Sequence, residues 1–279
     1  MEKVYILLPV HNRKEVTKKF IKCLKSQTFT DYHLVLIDDG SVDGTVEMVI
    51  DKIDSLTVIS GKGNWWWAGS LQQGYKWLKN QTLKKDNYVL IINDDTEFDN
   101  YFLETAVSML KNTTRTLLLS QCYSSITRNL IDAGVHVDWR YLRFNQTSID
   151  EETNCLSTRG LFLRIEDLFE IGGFHPKILP HYLSDYEFTI RAYRKGMKLL
   201  TLPELRLYLD ESTTGYHSIK ADSLLEYLKK YFSKKSAANP LYWTGFIALA
   251  CPFRWKLLNW VRVWKGVLYE IGYYLRNRN

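Results

Sequence analysis

The chain is 279 residues long, 46% hydrophobic and formally +6 at neutral pH, with four cysteines. That length and apolar content build one large folded domain, or one domain with an appendage, and exclude a disordered chain. Cys23, Cys122, Cys155 and Cys251 form no CxxC pair, which argues against a disulfide or zinc framework and for a reducing, cytoplasmic setting. The charge is uneven: from residue 251 to 279 six basic residues stand against Glu270, so +5 of the +6 belongs to the tail. The body is therefore near neutral, unlike that of a nucleic-acid enzyme, and no nucleic-acid partner is expected.

In chain order, Val4–Val10 is an almost unbroken apolar run that reads as a buried strand, not as the core of a secretory signal. A helical pattern follows over residues 15–26, a strand over 33–37, a helix over 45–53 and a third strand over 56–59. Ala68, Leu71, Tyr75 and Leu78 recur at helical spacing, and residues 89–92 make a fourth strand. Strands alternating with helices predict an α/β fold with a mainly parallel sheet covered on both faces. In such sheets ligands bind beyond the carboxyl ends of the strands. The second half is less regular. Strand material at 130–139 is interrupted at Ala133-Gly134, and a short strand at 161–163 precedes a helical turn over 166–171, stopped by Gly172-Gly173. A helix over 184–195 is closed by Gly196.

Two strand ends carry paired acids. VLIDDGSVDGT (residues 35–45) puts Asp38 and Asp39 where a strand meets a Gly-Ser turn, a place where aspartate also serves as a plain turn cap. LIINDDTEFD (90–99) repeats the arrangement, with Asn93 and Asp95 on one side of an extended chain as oxygen donors for a hard divalent cation. The competing reading is an acid cluster ahead of the helical stretch 101–111. In YLSDYEFTIRA, Ser184 and Glu187 have the spacing of a capping box around Asp185. Arg13, Arg159 and Arg191 are suited to phosphate, although Arg191 on its helix reads better as a surface salt bridge.

Taken in order over residues 3 to 217, these stretches resemble the family-two, inverting, nucleotide-sugar glycosyltransferases of GT-A fold. ILLPVHNR is similar to the family's opening strand, which implies that Pro9, Val10, Asn12 and Arg13 lie against the nucleotide. LIDDGSVDGT resembles its acidic turn, implying base or ribose contacts at Asp38 and Asp39. INDDT resembles the DXD metal motif with asparagine in the first acidic place, which implies Mg²⁺ or Mn²⁺ on Asn93 and Asp95, with Asp94 beside the donor. The segment LSTRGLFLRIEDLFEIGGF looks like the stretch before the acceptor loop. SDYEF resembles the motif of the catalytic base, implying that role for Asp185, with Ser184 in place of the usual glutamate. His217 stands where a histidine completes the metal shell in this family; a lone histidine is otherwise commonly a surface residue. Gln72 replaces a frequent asparagine. The reaction implied is inverting sugar transfer from a nucleotide-sugar donor to a glycan or lipid-linked acceptor. A nucleotidyltransferase, or an inactive sugar-binding scaffold, remains the alternative.

GKGNWWWAGS (61–70) cannot put three consecutive indoles into one core, because neighbouring side chains point apart on either a strand or a helix. Gly63, Asn64, Trp65 and Trp67 are placed beside the donor by the same resemblance, with at least one indole lining the pocket and one under the loop; Trp66 is the least determined. The predicted organisation is a catalytic unit over 1–220, with a nucleotide half to about 110, and a helical tail over 221–279. In the tail Leu257, Trp260, Val261, Trp264, Leu268, Ile271 and Leu275 share one helical face. Asn259, Arg262, Lys265, Tyr269 and Arg276 lie opposite, and Val263 is the misfit. Leu241 to Phe253 is too short to span a bilayer and contains Pro252. The tail is therefore expected to lie on an anionic inner membrane surface as a peripheral attachment, the alternative being a helix packed on the body.

Overall fold

The computed structural model describes residues 2–147, 152–209, 221 and 223–276. The elements are β1 (Val4–Val10), α1 (Lys14–Lys25), β2 (Tyr32–Asp38), α2 (Thr45–Ile50), β3 (Leu56–Ser60), α3 (Trp66–Lys79), β4 (Tyr88–Ile91), β5 (Thr96–Glu97), α4 (Phe102–Lys111) and β6 (Thr116–Ser124). They continue with β7 (Leu130–Asp132), β8 (Val135–Asp138), β9 (Arg143–Gln146), β10 (Leu161–Arg164), α5 (Ile165–Ile171), α6 (Ser184–Arg194), β11 (Lys198–Leu209), α7 (Leu224–Tyr231), α8 (Pro240–Ala250) and α9 (Phe253–Arg276).

The main sheet runs β3-β2-β1-β4-β10-β6-β11-β5, with β7 on β6. It is mixed. β3, β2, β1 and β4 are mutually parallel, as are β6 and β11, while β10, β5 and β7 enter antiparallel. The apolar runs are continuous because both faces are covered. Ile6, Leu8, Leu34, Leu36 and Leu90 face α1, α2 and α4, whereas Leu7, Val35, Ile37, Val89 and Ile91 face α3, α5 and α6. The fold is thus α/β with helices on both faces, as the alternation predicts.

Three local expectations need correction. The capping box at α6 does not form. Leu183 is the N-cap, in a left-handed conformation at φ 66°, and Ser184 Oγ donates to the His181 carbonyl. Glu187 is buried and receives two bonds from Arg191, at 2.9 Å each. Arg191 is consequently no surface salt bridge: its remaining N–H groups donate to the carbonyls of Ile171 and Gly173, so it clasps α6 to the end of α5. Val263 is not a misfit either, because α9 packs on the body through the side that carries it. Asn259 on that side is fully buried and donates to the Trp139 carbonyl, and Trp260 Nε1 donates to the Thr244 carbonyl on α8.

The tryptophan stretch is held by one side chain. Asp39, just past the end of β2, accepts the backbone N–H groups of Gly63 and Asn64 on Oδ1 and of Trp65 and Trp66 on Oδ2, at 2.8–3.2 Å. These donors include the otherwise orphaned N–H groups at the start of α3, which a carboxylate satisfies and whose dipole it complements. Ala68 N–H completes the turn by donating to the Pro180 carbonyl. The Asp39→Asn variant replaces two acceptor positions with an amide that faces two donors. It is expected to lose about 3 kcal/mol of stability, since hydrogen bonds to charged groups are worth about 1.5–3 kcal/mol each. Denaturant unfolding followed by tryptophan fluorescence checks this.

Candidate active site

A cavity of about 230 Å³ opens at the carboxyl ends of β1 and β4, lined by Pro9, Val10, His11, Arg13, Asp39, Trp66, Trp67, Ser70, Asn93, Asp94 and His181. It is smaller than the roughly 300–1,000 Å³ of sites that bury most of a drug-sized ligand, so it encloses part of a larger one. Seven of the residues expected at the donor or metal site line it: Pro9, Val10, Arg13, Asp39, Trp67, Asn93 and Asp94.

Of the remaining expected residues, Asp95 is not in the lining but is held by the lining residue Arg13, and the others sit elsewhere, for definite reasons. Asp38 is buried and accepts the Ser41 N–H. Asn12, at φ 50°, receives the Val42 N–H on its side chain and donates its own N–H to Ser41 Oγ, so it braces the acidic turn. Gly63 and Asn64 serve as donors to Asp39. Asp39 itself, with four acceptor positions engaged by backbone, has none left for a ribose hydroxyl; its role in this arrangement is to build the wall. Trp65 does not line the cavity but packs into the core beside α3, its ring against Gly61, where an added Cβ would lie 2.7 Å from the indole. His217 lies outside the described residues.

Of the four further lining residues, Trp66 was the tryptophan left least determined by the sequence, and His11, Ser70 and His181 were not singled out. Trp66 adopts φ 59°, a conformation unfavourable for a bulky side chain, and its ring centroid lies 5.6 Å from that of His181. Such strain persists where the surroundings impose it, here the Asp39 bonds to the N–H groups of Trp65 and Trp66 and the Ala68 N–H bond to the Pro180 carbonyl. His181 Nδ1 is buried without a hydrogen-bond partner, and burial pulls the imidazole below its ordinary pKa, so the ring is neutral. Trp67 also contributes to the lining, while its Nε1 donates to Thr158 Oγ1 at 3.2 Å. The one available signal was the turn-rich setting of both histidines, VHNR and LPHYL.

The acids after β4 are bridged by Arg13, whose guanidinium lies 3.3 Å from Asp94 Oδ1 and 3.1 Å from Asp95 Oδ2. Thr17 Oγ1 donates to Asp94 Oδ2 at 2.8 Å. Burial pushes the Asp94 carboxyl up to about 6, against the pull of Arg13 and Thr17. Asp95 differs: its Oδ1 is buried with no hydrogen-bond partner among the described residues. An unsatisfied buried carboxylate oxygen is costly, and it is the kind of donor a hard cation takes. Asn93 adds a second oxygen donor at the cavity. Among the described residues no three His, Cys, Asp or Glu side chains converge on one metal position.

Behind this pair lies Arg159, which does not line the cavity and whose Nε is buried and unpartnered. Burial pulls its guanidinium down, but Cys122, Asp132 and Asp95 more than offset this and hold it above its ordinary value. The Cys122 thiol is pushed up to about 11 by burial and stays neutral, so the carboxylates are the countercharges. Asp185, at the start of α6, has its carboxyl pushed up to about 6 by burial; N–H groups at the helix start and Arg159 pull back, and Asp132 pushes further up. One buried cation thus influences both Asp95 and Asp185.

Comparison with known proteins agrees with this geometry. Residues 5–170 match the model described as "Glycosyl transferase family 2". The chain is 24% identical to glycosyltransferase AglE of Haloferax volcanii over 70% of this chain, and 24% identical to a chondroitin synthase of Escherichia coli over 68% of it. It spans 63% and 32% of the lengths of those two relatives. Among solved structures, S. aureus TarS 1-349 in complex with UDP-GlcNAc aligns with a TM-score of 0.61 at 18% identity, covering 91% of this chain and 82% of that one. The mannosyltransferase PcManGT of Pyrobaculum calidifontis, in complex with GDP-Man and Mn²⁺, aligns at 0.58 and 16% identity over 98% of this chain and 78% of that one. GalNAc-T7 with UDP, GalNAc and Mn²⁺ aligns at 0.62 and 13% identity over 97% of this chain and 57% of that one. These likenesses show the GT-A fold, and with the model matched over more than half its length the chain belongs to glycosyl transferase family 2.

Proposed function

We propose that the chain transfers a sugar from a nucleoside-diphosphate sugar to a hydroxyl of a glycan or lipid-linked acceptor, with inversion at the anomeric carbon, in the cytoplasm. The observation that carries the reading is the Asp95 Oδ1 atom, buried and without a hydrogen-bond partner among the described residues, whereas both oxygens of Asp38, Asp39 and Asp94 are engaged. The complexes of related fold with UDP-GlcNAc, GDP-Man and Mn²⁺ support the donor class.

Asp95 and Asn93 would hold Mg²⁺ or Mn²⁺, with waters and diphosphate oxygens completing the shell as is usual for such cations; His217 is the further candidate ligand. When bound, the cation supplies positive charge against the departing diphosphate. The chain's own groups do the rest. Arg13 fixes the orientation of Asp95. The Trp66 indole and the neutral His181 ring offer one flat apolar face and one hydrogen-bonding nitrogen, the pair of features that a pyranose presents in return. Asp185 takes the proton from the acceptor hydroxyl as its oxygen attacks the anomeric carbon. A carboxyl at about 6 holds that proton better than an ordinary aspartate and is still ionised at neutral pH.

Asp185→Asn is expected to leave donor binding intact and slow transfer about 10²–10⁴-fold. Because the raised carboxyl must be unprotonated to act, wild-type kcat/KM should fall about tenfold per unit as pH drops below about 6. The residual activity of the variant should lack that acid limb. A pH–rate series with a nucleotide-sugar panel measures both, and a variant with wild-type rate would assign the base elsewhere.

Asp95→Ala removes the unpartnered oxygen and should abolish the Mn²⁺-dependent part of nucleoside-diphosphate affinity, read by calorimetry with and without EDTA. Equal affinity of wild type in Mn²⁺ and in EDTA would overturn the metal assignment.

A further inference from the structure

Helix α9 carries two apolar faces, and among the described residues only one has a partner. On the inner face Asn259 and Val267 are buried, and Ile271 and Tyr274 pack with Tyr227 and Tyr231 of α7. The outer face is a continuous stripe: Phe253 is 91% exposed, Leu257 73%, Val261 56%, Trp264 42%, Leu268 73% and Leu275 49%. At 100° per residue these six fall within a sector of about 80°. Isolated exposed apolar residues are ordinary, but a row running the length of a 24-residue helix marks a binding surface.

The charges beside the stripe indicate its occupant. Arg254, Lys265 and Arg276 are all exposed and recur every eleven residues, three turns plus about 20°, so they form one row along the stripe's edge. The only acid of the helix, Glu270, lies on the body side, where it accepts the Tyr227 hydroxyl. We propose that this outer face of α9 docks on an anionic lipid surface, with the stripe inserted among the acyl-chain boundaries and the basic row at the headgroups. A row of cations level with the flank of an apolar stripe is the arrangement of helices that lie in the interface plane. A second copy of the chain fits worse, because the stripe's edges offer no acid to meet the partner's basic row. The helix does not cross the bilayer; among the described residues no helix is long and apolar enough to do so.

Deleting α9 would strip the body of its inner-face contacts, so the test uses the full chain with substitutions confined to the outer face. Wild type, Leu257→Glu/Leu268→Glu and Arg254→Gln/Lys265→Gln/Arg276→Gln are floated with vesicles of phosphatidylcholine with and without phosphatidylglycerol. Their fold is verified by circular dichroism and their mass by light scattering. Wild type is expected to partition onto the phosphatidylglycerol vesicles and the leucine variant to stay in solution. The glutamine variant should lose about 100-fold in partitioning, at about fivefold per basic residue. Raised salt should weaken wild-type binding without abolishing it, since the apolar stripe is not screened. A wild type that floats with neither vesicle overturns the proposal, as does a wild-type dimer that the leucine variant converts to monomer. Neither result depends on sugar transfer.

Discussion

Four carboxylates, Asp38, Asp39, Asp94 and Asp95, are buried at the ends of two parallel strands that flank β1. A buried charge is tolerated only when its hydrogen-bonding capacity is met, and meeting it organises this edge of the sheet. Asp38 closes the turn through Ser41, Asp39 gathers the loop ahead of α3, and Asp94 is held by Arg13 and Thr17. Arg13 then reaches Asp95 through one oxygen only. The accounting leaves a single carboxylate oxygen over, Asp95 Oδ1. A structural role explains seven of the eight oxygens. The eighth is the oxygen that the proposed cation would take.

The same constraint resolves the three tryptophans. Once Asp39 fixes the N–H groups of residues 63 to 66, the chain turns into α3 with Trp65 and Trp66 held by one carboxylate oxygen. Trp65 is driven under the loop against Gly61, Trp67 lies toward Thr158, and Trp66 takes the strained position over the cavity. Gln72, further along α3, ties this unit to the segment after α5 by accepting the Phe174 N–H at 2.6 Å. A glycine at 173 is needed there, since a Cβ would sit 2.2 Å from the Gln72 amide oxygen. The departure at position 72 is a strut between α3 and the segment after α5.

The first half of the fold was legible because its strands are buried on both faces and punctuated by acids and glycines. β6 and β11 were not. In β6 the apolar run stops at Ser120-Gln121, which reads as a loop. Both are nevertheless buried, their polar groups met by Gly160 and Thr201. In β11 Pro203 breaks the pattern, and the strand accommodates it by shifting register between Leu202 and Arg206. The acid motifs pointed to the right edge of the sheet, yet not to which acid does what: spacing places Asp38 and Asp39 together, while only the N–H directions separate turn-former from loop-holder. Likewise Ser-x-x-Glu at α6 met every sequence condition for a capping box. The left-handed Leu183 moved the cap back by one residue, and Arg191 took the glutamate.

The tail shows how one apolar pattern can merge two faces: Trp260 and Ile271, expected on one stripe with Leu257, pack toward the body. A stripe of apolar residues on one side and basic residues beside it reads as a helix with one dry face and one wet face, and Val263 then has no place. A helix of 24 residues has room for more. Its inner face is smaller and partly polar, with Asn259 buried because its amide has partners in the Trp139 carbonyl and the Cys251 sulfur. Periodicity weighs such a residue as solvent-facing, so the body-side contact disappears from a hydrophobic count. The packed-helix and surface-helix readings were opposed only because each assumed a single face. With both faces assigned, packing on the body holds the helix still, and a rigidly held stripe loses less side-chain freedom on binding than a flexible tail would. The attachment to the body therefore favours the docking proposed for the exposed face.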